Sequence, residues 1–201
     1  MAGSINDFKS SFNKDLARPS RFDVVIATPL VMIPYISDAR KLTYRCETAQ
    51  LPGRTLATTE QKIGSNPVEK YPYQTTFNDI DLTFLVDDDM SQKLFFDIWL
   101  ELINPSFTYN YQYKSNYASV ITVNQYDLTN KLTYSVDLFD AYPISVNQMD
   151  LDWSSESNHK ISVTFAYTRW QNNSLQNLGQ RLGQELLTTV VSGVFGGAPG
   201  F

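Results

Sequence analysis

Cysteine and histidine each occur once in these 201 residues, at Cys46 and His159. A single cysteine makes no intramolecular disulfide. Cys46 alternates with Leu42 and Tyr44 against Thr43, Arg45 and Glu47, so the segment reads as a half-buried strand and the thiol as a small apolar group rather than a reactive one. His159 sits in the polar turn Glu156-Ser157-Asn158-His159, and no nucleophile elbow, phosphate-binding glycine loop or metal-ligand spacing accompanies it. It is expected to be a surface turn residue, and no enzyme, cofactor or metal site is expected. Long apolar runs are also missing, which excludes a helical membrane span. The N-terminus shows no basic stretch leading into an apolar run, so the product is expected to be soluble when made and cytoplasmic. Basic residues are scarce: 16 Lys and Arg face 21 Asp and Glu, for a net charge of -5. A protein that reads nucleic-acid sequence needs clustered cations to neutralise phosphates, so that class is disfavoured.

What is present is apolar and aromatic material laid out with a period of two. At 42% hydrophobic and 13% aromatic residues, the chain can bury one sizeable core, and its length fits one domain. Ile161, Val163, Phe165 and Tyr167 alternate with Ser162, Thr164, Ala166 and Thr168, the pattern of an antiparallel strand with one buried face. Ile80, Leu82, Phe84 and Val86 alternate in the same way, and further strands are expected at 118–126 and 132–139, joined by the hairpin turn Asp127-Leu128-Thr129-Asn130. Phe107, Tyr109, Tyr111 and Tyr113 oppose Thr108, Asn110 and Gln112 at strand spacing. That aromatic face reads as core or subunit packing, with a carbohydrate or base-stacking platform as the competing function.

One internal helix is expected after Asp87-Asp88-Asp89, whose carboxylates suit the positive end of a helix dipole. Leu94, Ile98 and Leu102, with Phe95 and Trp99, form its apolar stripe, and Asn104-Pro105 ends it. It should cover an open mouth or face of the sheets. The three aspartates could be proposed as a metal site, but consecutive residues entering a helix point apart and no calcium-loop spacing is present. Asp150 and Asp152 flank Leu151 at strand spacing, so a glycosidase-like carboxylate pair is the one catalytic arrangement to test.

Between the strands lies the segment 50–79, punctuated by Pro52, Gly53, Gly64, Pro67 and Pro72. A structureless loop of about 30 residues is improbable in a compact domain unless it has a task or hides strands. It carries Arg54, Glu60, Lys62, Glu69 and Lys70, then Tyr71 and Tyr73, the profile of an exposed polar interface. These seven residues are the candidate assembly contacts. Beyond Trp170, Leu175, Leu178, Leu182, Leu186 and Val190 make a stripe at helical spacing, and 193–201 turns glycine-rich. The expected architecture is therefore mainly β, with antiparallel barrel- or sandwich-like sheets and one internal helix over 1–170, followed by a C-terminal amphipathic helix and flexible tail over 171–201.

Three segments resemble one known family. Leu151-Asp152-Trp153 before the 161–170 strand resembles the closing hairpin of tail tube proteins from contractile-tailed, T-even-like bacteriophages; Ala17-Arg18-Pro19-Ser20-Arg21-Phe22 resembles their opening signature, and Cys46 to Pro52 their next segment. The strand, acidic loop and aromatic helix in the middle are similar too. The resemblance implies the tail-tube fold, homo-oligomeric hexameric rings stacked into a tube inside a contractile sheath, and a place in the virion tail after assembly in the bacterial cytoplasm. It implies sheath, baseplate and terminator proteins as partners, and non-specific passage of DNA through the lumen. It also implies that the segment 50–79 reaches the next ring. Six copies at -5 each give a ring charge of -30, and a lumen that DNA must slide through requires a negative or neutral polar lining. The related alternatives are a baseplate-proximal tube initiator and the inner tube of a contractile injection device; the outside alternative is a carbohydrate-binding β-sandwich. The extension after Trp170 departs from shorter members of the family.

Overall fold

The computed structural model describes residues 5, 16–35, 40–62, 64–65, 67–154 and 156–173. The expected C-terminal helix and tail lie outside the described residues. Nine strands are present among them: β1 (Phe22–Ile26), β2 (Cys46–Ala49), β3 (Thr55–Gln61), β4 (Glu69–Thr76), β5 (Ile80–Leu85), β6 (Ser119–Tyr126), β7 (Leu132–Val146), β8 (Lys160–Ala166) and β9 (Arg169–Asn172). The helices are α1 (Arg40–Arg45), α2 (Ser91–Ile103) and α3 (Lys114–Tyr117), with a 3-10 turn at Leu30–Met32.

Every strand pairing is antiparallel, and the main sheet runs β1-β6-β7-β8-β5-β2 with β9 also paired to β7. The 15-residue β7 organises it. Its first half pairs β6 on one edge and β9 on the other, while its second half pairs β8. Between the halves stands Asp140, at φ 55°, a left-handed conformation that short polar side chains tolerate better than branched ones. That corner turns one long strand from a β1-β6-β7-β9 layer into a β7-β8-β5-β2 layer. Two layers sharing a bent strand enclose the core between them.

Alternation places the core residues. Val24 and Ile26 of β1, Ile80, Leu82 and Phe84 of β5, Ile121 and Val123 of β6, Val136 and Leu138 of β7, and Ile161, Val163 and Phe165 of β8 are all buried. Their neighbours carry the polar ladder on the opposite face, as Thr164 Oγ1 donating to Asp81 Oδ1 at 2.6 Å and Thr122 Oγ1 to Asp137 Oδ1 at 2.7 Å illustrate. Helix α2 lies across β7. Phe96 meets Phe84 at 5.2 Å and Phe165 at 6.1 Å between ring centroids, and Trp99 meets Phe165 at 6.1 Å. Tilted and edge-on contacts of this kind add roughly 0.5–1.5 kcal/mol each to the burial itself.

The helix begins one residue later than a carboxylate cap would place it. Met90 occupies the cap position at φ 55°, while Asp89 Oδ1 accepts the Ser91 N–H at 3.0 Å. That hydrogen bond, foremost, holds the Asp89 carboxyl below its ordinary range. Asp87 instead exchanges two 2.8 Å hydrogen bonds with the buried Gln92 and pairs with Arg45 at 2.7 Å. Asp87 and Asp89 are thus engaged at the start of the helix, and no metal-holding cluster exists among the described residues. The buried stripe is Gln92, Phe95, Phe96, Trp99 and Ile103, with Leu94 exposed and Ile98 and Leu102 only partly covered. Phe95 and Trp99 of the expected stripe are thus buried, while the buried face is centred about one position beyond Leu94, Ile98 and Leu102 and takes in Phe96, which meets Phe84 and Phe165.

Two strand expectations are corrected. Leu42 and Tyr44 stand on α1 rather than on a strand: Leu42 is 4% exposed and Tyr44 84%, the opposite fates of residues about 200° apart on a helix. The 107–113 segment is loop, with Tyr109 at φ 55°, and its four aromatics are all exposed, Phe107 at 97%. They form no part of the core. Cys46, at the start of β2, is half-buried, and burial pushes its thiol up to about 12. At pH 8 a thiolate population of roughly one in ten thousand follows, so alkylation by iodoacetamide should run about a thousandfold slower in the native protein than in urea. Similar rates in both states would contradict that environment.

The β6–β7 turn forms where expected, with Asn130 at φ 61°. Asp127 Oδ1 accepts from the Thr129 N–H and hydroxyl and from the Lys131 N–H, at 2.7–2.9 Å. These bonds, led by the Thr129 hydroxyl, depress the Asp127 carboxyl. A depressed carboxylate stabilises the fold above its unfolded-state value and loses that contribution as pH falls through the folded one. Asp127→Ala should lower the melting temperature by a few degrees at pH 7, with the gap to wild type narrowing as pH falls below the ordinary carboxylate range.

The projecting hairpin as candidate assembly site

All seven candidate contacts from the 50–79 segment map to one element. The supposed loop hides a two-stranded sheet, β3 paired with β4, that joins no other strand among the described residues. Glu60 stands on β3, Glu69, Lys70, Tyr71 and Tyr73 on β4, Arg54 just before β3 and Lys62 just after it. At 3.2–3.4 Å per residue the strands extend about 25 Å.

Register decides which groups meet. Thr59 pairs with Tyr71 and Gln61 with Glu69 on one face, and Thr58 with Pro72 and Glu60 with Lys70 on the other. Ala57 then pairs with Gln74, so Tyr73 is the extra residue of a bulge. A bulge re-aims a side chain and tightens the local twist, and Tyr73 is 66% exposed there. Glu60 and Lys70 form a cross-strand ion pair at 3.4 Å, with both side chains more than 60% exposed. Such an exposed pair contributes little to stability. The Tyr71 hydroxyl donates to Glu69, and that bond raises the Tyr71 phenol above its ordinary range. Arg54 Nη2 reaches Thr75 Oγ1 at 3.5 Å. The turn end uses Gly64 at φ 64°.

The hairpin buries almost nothing in its own chain. Ala57 and Thr75 alone are partly covered among its strand residues, and Leu56, Tyr71 and Tyr73 are 51%, 46% and 66% exposed. Its root is held by Trp170 Nε1, which donates to the Gly53 carbonyl at 3.0 Å. Sequence periodicity had no means of finding that anchor, because it joins a loop backbone to a strand 117 residues away. An isolated two-stranded hairpin is marginal in water. Edge strands compound the point: β1, β2 and β9 each pair on one side alone among the described residues, leaving backbone donors and acceptors open to strand addition.

The other candidate groups have their own local partners among the described residues. Asp152 accepts from the Ser154 N–H and hydroxyl, which holds its carboxyl below the ordinary range. A glycosidase acid requires the opposite shift. His159 is half-buried, and its carbonyl accepts the Val86 N–H at 3.0 Å, closing the β5–β8 ladder. Trp153 and Leu151 are fully and largely exposed. No helix among the described residues is long and apolar enough to cross a membrane.

The fold recurs in solved structures. A chain of the PVC sheath-tube complex in its extended state, from an extracellular contractile injection system, superposes with a TM-score of 0.59 at 15% identity, covering 86% of this chain and 99% of that one. A chain of the six-fold symmetrised baseplate of the anti-feeding prophage matches at 0.58 and 18% identity, over 79% and 96% of the two chains. The tube-terminating cap of the same particle gives 0.57 and 16%, over 80% and 92%. At such identities the likeness is one of fold. No curated protein sequence matches the chain. The family model described as phage tail tube protein spans residues 17–173, from the Ala17-Arg18-Pro19 signature through the whole sheet system to the end of β9. By that match across most of its length, the chain belongs to the phage tail tube protein family.

Proposed function

We propose that this tube protein assembles as hexameric rings, stacked through the β3–β4 hairpin into a conduit for DNA inside a contractile sheath. The carrying observation is a hairpin of about 25 Å that projects from the fold with its apolar side chains unburied. Such an arm gains stability by laying Leu56, Tyr71 and Tyr73 on a neighbouring ring, with Arg54, Glu60, Lys62, Glu69 and Lys70 forming the polar rim of that contact. Open edges at β1, β2 and β9 supply the lateral contacts, since ring closure can pair every edge and removes the aggregation hazard of a free one. Sheath, baseplate and terminator proteins are the further partners, in a virion tail assembled in the bacterial cytoplasm. The acidic balance of the chain suits a channel that lets phosphate slide past rather than bind.

The fold's neighbours come from contractile injection particles, which favours a second reading: the inner tube of such a device, delivering protein. A gene cluster without capsid and terminase genes would distinguish it. The test of the ring reading is light scattering and negative-stain electron microscopy of the purified chain at rising concentration. Annular particles or open tubes are expected. A stable monomer at high concentration that binds a glycan would replace the tube with a carbohydrate-binding module.

A further inference from the structure

The loop between β7 and β8 carries an apolar tip in an acidic setting. Leu151 is 83% and Trp153 106% exposed, and two large apolar groups standing together in solvent have the profile of a contact surface. Asp150, Asp152 and Glu156 are exposed around them, and residues 147–159 contain no Lys or Arg. The tip is preformed: Asp152 Oδ1 accepts from the Ser154 N–H and hydroxyl, both at 2.9 Å. A contact element that is already ordered saves the entropy of ordering it on binding, and Trp is among the side chains that dominate interfaces.

The reverse setting lies at the other end of β7. There the β6–β7 hairpin and the segment entering β1 enclose an open groove of about 750 Å³, lined by Leu16, Leu128 and Leu132, with Arg18, Arg21 and Lys131 around it. Leu16 and Leu132 are exposed. Asp127 also borders the groove, but its Oδ1 is taken up by the Thr129 and Lys131 N–H groups. The walls are tied together: the Tyr126 N–H donates to the Arg21 carbonyl at 2.8 Å, and Arg21 Nη1 to Asn130 Oδ1 at 2.7 Å. A groove of that size, within the roughly 300–1,000 Å³ that encloses a drug-sized molecule, has room for an indole and an isobutyl group together.

The fifteen residues of β7 separate tip and groove, about 45 Å along the strand. The exposure of Trp153 shows that the tip does not fill the groove of its own chain. An occupant that matches the groove in both polarity and charge is the tip of a second copy. The sheet order agrees. The groove borders β1, the first strand of the main sheet, whereas Lys160, where the loop enters β8, pairs at 2.6 Å with Glu47 of β2, the last strand. A contact between unlike surfaces is heterologous and passes from copy to copy until a ring closes.

We propose that Leu151 and Trp153 of one subunit insert into the groove of the next within the ring, with Asp150 facing Lys131 and Asp152 facing Arg18. The contact rests on the ring reading and gives that ring its direction.

The test is sedimentation velocity of the full-length chain carrying Leu56→Asp and Tyr73→Asp, so that rings are read without stacking. Trp153→Ala and Leu132→Asp, each at an exposed position, should raise the concentration at half assembly at least about tenfold and leave the melting temperature within about 2 °C. Lys131→Glu and Asp150→Lys should each weaken assembly, and the two together should restore it to within about threefold, because the exchanged charges meet again across the contact. Single variants that assemble like their parent, or a charge exchange that behaves as the sum of its two parts, would overturn the contact and leave the ring reading standing. A wild-type chain that never assembles would overturn both.

Discussion

Replacing residues 55–76 by a short glycine-serine linker should abolish tube formation and leave the domain folded, with a melting temperature within about 2 °C of wild type. The expectation rests on where the core is. Its buried residues come from β1, β5, β6, β7, β8, α1, α2 and the Leu30–Met32 turn, and none comes from β3 or β4. The hairpin therefore contributes its own ladder and the Trp170 to Gly53 contact, and little else. In a stacked tube the same residues would lose the surface they bury between rings. A milder variant, Leu56→Asp with Tyr73→Asp, keeps the backbone and should shift sedimentation from long tubes to single rings. Full-length tubes from either variant would remove the hairpin from the stacking contact. Collapse of the domain on hairpin replacement would show that the arm stabilises its own subunit.

Trp99→Ala should cost about 4 kcal/mol and lower the melting temperature by about 8–16 °C, measured by calorimetry on the disassembled subunit. Trp99 is completely buried, sits edge-on to Phe95 and Phe165, and donates its indole N–H to the Tyr117 carbonyl at 3.0 Å. Truncation removes the largest side chain of the interior and leaves that carbonyl without its donor, an added loss of roughly 1–3 kcal/mol where water cannot enter. Trp99→Phe keeps the ring contacts and should lose less than half as much. A Trp99→Ala protein melting within about 2 °C of wild type would mean that α2 does not close the core.

Much of this architecture was legible because one face of each central strand is buried. β5 and β8 alternate along their whole length, β6 over its first six residues and β7 from Val136 to Phe139, so period two revealed them, and the helix was marked by the aspartates before it and Asn104-Pro105 after it. Failure followed where burial gives no pattern. The β3–β4 hairpin is exposed on both faces, so its residues show no apolar alternation and read as a loop with a task. The same alternation misled at 107–113, where four aromatics at strand spacing stand exposed on a loop. At 40–45 a six-residue helix is too short to display its period against a strand reading. The corner at Asp140 and the continuation of β8 into β9 depend on tertiary register, which no local window contains. The candidate contacts from Arg54 to Tyr73 were found by composition, and the fold brings them to one arm.

The most direct test of the assembly is a cryo-electron microscopy reconstruction of the protein polymerised at high concentration. The expected result is a stack of six-fold rings around an open channel, with Leu56, Tyr71 and Tyr73 of each hairpin buried against the adjacent ring. Tubes in which the hairpin stands free in solvent, or a chain that stays monomeric under all conditions of concentration and salt, would contradict it.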